Sequence, residues 1–132
     1  MIKNIESILL FSENPEKLSK FYKDTLGLKV GMEGEYGDDE DVFVGFNPGK
    51  GPYLVVMHHD KVEGKNREPE RYMVNFEVDD IEKEVERLRK AKVRLIQDIY
   101  HVQDYGRIAT FEDPDGNYFQ LVQIKPSKSE AN

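Results

Sequence analysis

The chain repeats itself at half its own length. Setting PEKLSKFYKDTLGLKV (15–30) beside IEKEVERLRKAKVRL (81–95) puts Glu16-Lys17 66 residues ahead of Glu82-Lys83 in a chain of 132. A period of that size marks a duplicated supersecondary unit, and each copy reads strand, helix, strand, strand, strand. The predicted strands are 5–11, 28–32, 42–46 and 53–58 in the first copy, and 72–78, 93–99, 107–111 and 118–124 in the second. The fold class is therefore α+β, with two βαβββ modules, about 1–60 and about 71–125, in one domain over 1–125 and a polar tail at 126–132.

Helix boundaries follow from capping chemistry. Asn14-Pro15 starts the first helix, with Asn14 as N-cap and Pro15 at the first helical position, where its missing N–H is harmless. Leu18, Phe21, Tyr22, Thr25 and Leu26 recur at helical spacing, and Gly27 stops the run. The second helix starts at Asp79-Asp80, where Asp79 and Glu82 have the spacing of a capping box. Ile81, Val85 and Leu88 form its apolar stripe, with glutamates early and Arg and Lys late, as the helix dipole favours.

Composition removes several function classes. Cysteine is absent, which excludes disulfides, thiolate nucleophiles and thiolate metal sites. The net charge of −7, without a basic patch, argues against nucleic acid and anionic membranes as partners. No stretch approaches the ~18 apolar residues of a membrane span. The opening MIKNIESILLF has too short an apolar run for a signal peptide, so the expected location is cytoplasmic.

Three segments are irregular. Residues 33–41, rich in carboxylates, are expected to form a solvated hairpin loop, and 59–71, with Gly64, Pro69 and many charges, a mobile loop or lid. The tail beyond Lys125 is expected to fray.

Within FEDPDGNYFQLVQ (111–123), Asp113-Pro114-Asp115-Gly116 turns the chain and a strand resumes at Tyr118. Alternate side chains of a strand point to opposite faces, so Gln120 faces away from Phe119 and Leu121. An amide at that position asks what it faces.

The segments N-P-E-K-L-x-x-F-Y-x-x-x-L-G (14–27), FEVDD (76–80) and G-R-x-A-x-F-x-D-P-D-G-N (106–117), on a paired βαβββ frame, carry a resemblance. The chain is similar to the glyoxalase/bleomycin-resistance/extradiol-dioxygenase superfamily, the vicinal oxygen chelate fold. The resemblance implies a half-open, eight-stranded, barrel-like sheet with outer helices and a concave cup. Gln120, Met73, Asn75 and Glu77 would face the cup, while Val74, Phe76, Val78, Phe119 and Leu121 would pack under the helices. In metal-using members four cup-facing residues, usually His, Glu or Gln, hold one divalent ion. Those positions fall here on Ser7, Val55 or Val56, Met73 and Gln120. Only Gln120 can ligate, because Ser, Val and Met are poor partners for a hard or borderline ion. The usual metal site is thus expected to be missing, and no cofactor is expected.

The expected ligand-lining residues are Ser7, Val55, Met73, Asn75, Gln120, His101 and Tyr100. His58 and His59 are adjacent at a strand end and point apart, so both cannot reach one ion. One of them with His101, Glu77 or Gln120 makes the alternative, a relocated divalent metal site, for which His59, His101 and Gln120 are the candidates. Glu77 and His59 are the candidates for moving a proton. Tyr53, Tyr100, Tyr105 and Tyr118 could stack on a planar ligand, and Arg107 is expected to pair with a surface carboxylate. Nothing resembles a Ser-His-Asp set, a P-loop or a dinucleotide fingerprint. The expected function is binding of a small organic molecule in a cup without the usual metal ligands, by a homodimer as the resemblance implies. The alternatives are a metal-dependent glyoxalase-like lyase or dioxygenase with rearranged ligands, and a protein-interaction domain with a vestigial cup.

Overall fold

The structure, a computed structural model, describes residues 1–37, 41–47 and 49–125. The chain divides into two compact units, Met1–Lys65 and the stretch from Asn66 onward. In the first unit β1 (Ser7–Ser12) leads into α1 (Pro15–Lys20), which widens into a π-helical turn over Phe21–Thr25; β2 (Val30–Tyr36), β3 (Asp41–Phe46) and β4 (Tyr53–His58) follow. In the second, β5 (Val74–Glu77) and α2 (Ile81–Lys90) precede β6 (Arg94–Val102), β7 (Gly106–Glu112) and β8 (Tyr118–Ile124).

The duplication is exact in topology. The sheet orders are β1-β4-β3-β2 and β5-β8-β7-β6, each with its first strand parallel to its last. A parallel pair needs a crossover, and the helix supplies it. The described strands thus form two four-stranded sheets, one per module.

Asn14 caps α1 as expected, its Oδ1 accepting from the Lys17 N–H at 3.2 Å, with Pro15 next in the chain. The continuation is π-helical, with Leu26 N–H donating to Phe21 O at 3.0 Å. A wider turn keeps side chains four apart closer to one line, and Leu18, Tyr22 and Leu26 are all buried. Gly27 ends the segment at φ 82°, a conformation open to glycine without steric cost.

The cap of α2 corrects the capping-box expectation. Asp80, not Asp79, accepts from the Lys83 N–H at 3.2 Å. The Ile81 N–H is taken from another strand, donating to Gln123 Oε1 at 2.9 Å. Ile81, Val85 and Leu88 are buried, as their spacing requires.

Two irregular segments also differ from expectation. Residues 33–36 belong to β2, paired as far as Tyr36 with Asp41, because sheet pairing overrides a loop-like composition. The apex of that loop, 38–40, lies outside the described residues. The 59–71 segment has no regular structure yet is fastened, which argues against a free lid. Gly64 N–H donates to Glu13 Oε1 at 2.9 Å, and Asn66 reaches Asp115 O at 2.7 Å and Asn117 Oδ1 at 3.0 Å. Tail residues 126–132 lie outside the described residues.

Candidate functional site

Each sheet has one face under its helix and one face free of it. In the first unit Tyr22, in the π-helical turn, meets Phe46 with ring centroids 6.4 Å apart, which fixes the helix side. Register then puts Leu54 and Val56 on that side, and Ser7, Leu9, Tyr53, Val55, Phe43 and Met32 on the other. Of the two candidates in β4, Val55 shares the face of Ser7 and Val56 lies on the helix side.

This helix-free face is apolar. Leu9, Val55, Gly45 and Met32 stand in one row across all four strands, with Leu9 45% and Met32 41% exposed. The Met32 and Tyr53 side chains lie over Gly45, where a Cβ would fall 2.8 Å from Met32 Cγ and 3.2 Å from the Tyr53 ring. Glycine at that position lets the two side chains close on the backbone.

In the second unit, α2 is tied to the face that carries Gln123 and Arg107. Gln123 Oε1 accepts from Ile81 N–H and from Arg107 at 3.1 Å, and Arg107 pairs with Glu82 of α2 at 2.5 Å. Arg107 is thus committed to a carboxylate, as expected. Phe119 and Leu121 are buried on the same side, where Phe119 stacks on Phe111 at 5.8 Å.

The opposite face carries Gln120. There Asn75, Gln120, Thr110 and Gln97 form a row of neutral polar side chains across the sheet. Beside it runs the row Glu77, Val122, Ile108 and Tyr100, in which Val122 and Ile108 are buried. Gln120 Nε2 donates to Thr110 Oγ1 at 2.9 Å, and Gln97 Nε2 makes a long bond of 3.4 Å to Asp98 O. Thr110 and Gln97 carry no motif of their own in the sequence. Thr110 was findable, since the turn at 113–117 pairs it with Gln120 by counting outward along the hairpin.

The remaining candidates fall in different places. Asn75 and Glu77 are exposed on the face of Gln120, and Met73 lies one residue before β5. Tyr100 is on that face, 41% exposed. His101 is not: its strand partner is Arg107, on the α2 side. A relocated metal site joining His101 to Gln120 is therefore opposed by register. In the first unit His59 Nδ1 accepts from the Lys61 N–H at 3.0 Å, and its ring meets Phe11 edge-on at 5.1 Å. His58 lies 3.3 Å from Asp41 and 3.7 Å from Asp60.

The side chains do not fit a divalent ion at the positions the resemblance names. Ser7 and Val55 in the first unit, and Met73 and Gln120 in the second, supply neither imidazole nor carboxylate. Among the described residues no group of three His, Asp or Glu gathers to hold an ion.

The closing turn holds β7 against β8. Asp113, buried, accepts from the Asp115 and Asn117 N–H groups at 2.9 and 3.0 Å and from Asn117 Nδ2 at 3.0 Å. That turn sets the register that aligns Gln120 with Thr110.

Known proteins match along most of the chain. The family model of the Glyoxalase/Bleomycin resistance protein/Dioxygenase superfamily matches residues 4–121. YetH, an uncharacterized protein of Bacillus subtilis (strain 168), is 24% identical over 123 residues, which span 93% of this chain and 100% of that one. The crystal structure of a glyoxylase/bleomycin resistance protein/dioxygenase domain from Frankia sp. EAN1pec aligns with a TM-score of 0.75 at 19% identity, covering 95% of this chain and 100% of that one. An antibiotic binding protein from Streptomyces sp. CB03234 aligns at 0.69 and 22% identity, covering 94% and 98%. A fosfomycin resistance protein from Listeria monocytogenes aligns at 0.72 and 19% identity, covering 100% of both. At these identities the likeness to the solved structures is one of fold.

Proposed function

The chain belongs to the Glyoxalase/Bleomycin resistance protein/Dioxygenase superfamily, and from that premise we propose that it binds a small, partly apolar organic molecule on the helix-free faces of its sheets, without the divalent ion of the metal-using members. One observation carries this reading. Leu9 and Met32, both large and exposed, flank Val55 and Gly45 on a strand face that a water-filled surface does not favour. Apolar faces with a few placed polar groups are what small-molecule sites are made of. Two relatives in fold are described as antibiotic binding and fosfomycin resistance proteins, which makes antibiotics the first compounds to screen. The protein works in the cytoplasm as a homodimer in this reading, and sedimentation at micromolar concentration tests the dimer.

The binding itself is tested with Nile red, a neutral dye whose fluorescence rises in apolar surroundings. Titrating the full chain should raise its emission, and Leu9→Asp should weaken that binding at least tenfold while leaving the thermal midpoint nearly unchanged, since Leu9 is exposed. No rise in emission at about 0.1 mM protein, a concentration that detects weak sites, would count against the proposal.

A further inference from the structure

The polar row on the helix-free face of the second sheet has a composition that selects among ligands. Gln120 uses one N–H on Thr110 at 2.9 Å. A carboxamide has two N–H donors and a carbonyl acceptor, so a donor and the acceptor of Gln120 are left. Asn75 stands beside it in register on β5, exposed, with a second carboxamide. Thr110, buried, accepts from Gln120 and so fixes how the Gln120 carboxamide is turned. The row therefore offers alternating donors and acceptors and no net charge.

The charges around the row point the same way. In the strands of this face they are Glu77, on the neighbouring row beside Val122, and Glu112 with Arg94, whose guanidinium is 2.8 Å from the Glu112 carboxylate. Arg107, the cation nearest in β7, is turned to α2 and held by Glu82 and Gln123. An anion brought to Gln120 would meet carboxylates and no uncommitted cation on these strands. A neutral group would meet the buried Val122 and Ile108 on one side and the amides on the other. Hydrogen bonds formed beside such apolar side chains are strengthened by the low local polarity.

The geometry points to recognition of neutral ligands that carry a carbonyl next to an N–H, such as lactams and imides, by the paired carboxamides of Gln120 and Asn75, with carboxylates and phosphonates rejected. This rests on the small-molecule reading above and names the class of molecule. A face built to hydrogen-bond a particular group discriminates strongly against an analogue lacking it, because its own polar atoms are then left unpaired.

The test compares two probes of similar size: 2-quinolone, a neutral bicyclic lactam, and quinoline-2-carboxylate, an anion. Calorimetric titration of the full chain should find 2-quinolone bound at least tenfold more tightly than the carboxylate. Asn75→Ala, at an exposed position, should weaken 2-quinolone about threefold to tenfold, the range expected for losing one neutral hydrogen bond. Gln120→Leu should weaken it by a similar factor, with circular dichroism confirming the fold. Equal affinity for the two probes, or affinity for 2-quinolone unchanged in Asn75→Ala, overturns the assignment. Nile red binding without 2-quinolone binding overturns the lactam class and leaves the small-molecule reading standing; binding of neither removes both.

Discussion

Gln120 and Thr110 stand opposite each other in β8 and β7, and the Gln120 amide donates to the Thr110 hydroxyl at 2.9 Å. Thr110 is 4% exposed, so this bond satisfies a hydroxyl that water does not readily reach. Removing one member of such a pair leaves the other unsatisfied, whereas removing both is nearly neutral. Gln120→Leu should therefore lower stability by about 1–3 kcal/mol, and adding Thr110→Val should restore most of it. Urea midpoints of the two single variants and the double variant decide the matter. Simply additive losses would mean that the amide and hydroxyl are not coupled.

The fold was legible because its strongest signals are local or periodic. The 66-residue period, the Asn14-Pro15 start and the strands at 53–58 and 118–124 all stand in the structure. What was not legible depended on pairing. A loop-like composition concealed residues 33–36 in β2, and two adjacent aspartates gave no sign that Asp80 rather than Asp79 would cap α2. His101 is the clearest case in the site. Simple alternation from Gln97 would carry it to the face of Gln120, but register shifts between Gln97 and Tyr100 put Tyr100 there and His101 opposite Arg107. A bulge reverses the faces, and nothing in the local residues announces it.

Tyr36 gives a prediction in alkaline solution. Its hydroxyl donates to His58 O at 2.5 Å, and burial, followed by the negative charges of Asp41 and Asp60, raises its phenol above the ordinary value of 10.0. The folded state then holds the proton more tightly than the unfolded state does. That stability is fully present below the unfolded value and is lost as pH rises through the higher folded value. Tyr36→Phe should cost roughly 1 kcal/mol near neutrality, through the lost hydrogen bond, and should flatten the decline above about pH 10. Urea midpoints across that range provide the check, and an equally steep decline in the variant would contradict it.

The residue types at Ser7, Val55 and Met73 lead to a prediction about metal content. Protein purified without chelator should carry far less than one zinc, nickel, iron or manganese ion per chain by elemental analysis, and adding a chelator should leave the thermal midpoint in place. One tightly held ion per chain, lost in His59→Ala or Gln120→Ala, would instead favour a metal-dependent lyase or dioxygenase.

Gly106 opens β7 opposite Ile124 and Val102, at φ 154°, a value that L side chains rarely adopt. A Cβ at Gly106 would overlap the Gln123 carbonyl oxygen and lie 3.0 Å from Ile124 Cα. These are backbone atoms of the paired strand, so no side-chain rotation relieves the overlap. Relief requires β8 to move, and β8 carries both Gln120 and the Gln123 carboxamide that holds Ile81 and Arg107. Gly106→Ala should thus cost about 2–4 kcal/mol, from strained backbone and overpacking together. Gly27→Ala is the control, because Gly27 is also at positive φ, 82°, yet has open space where the methyl would go. Its cost should be about 1 kcal/mol, that of the backbone conformation alone. If urea midpoints put the two variants level, then the β7–β8 pairing yields to a methyl group more easily than its hydrogen bonds imply, and the register that aligns Thr110 with Gln120 is loose.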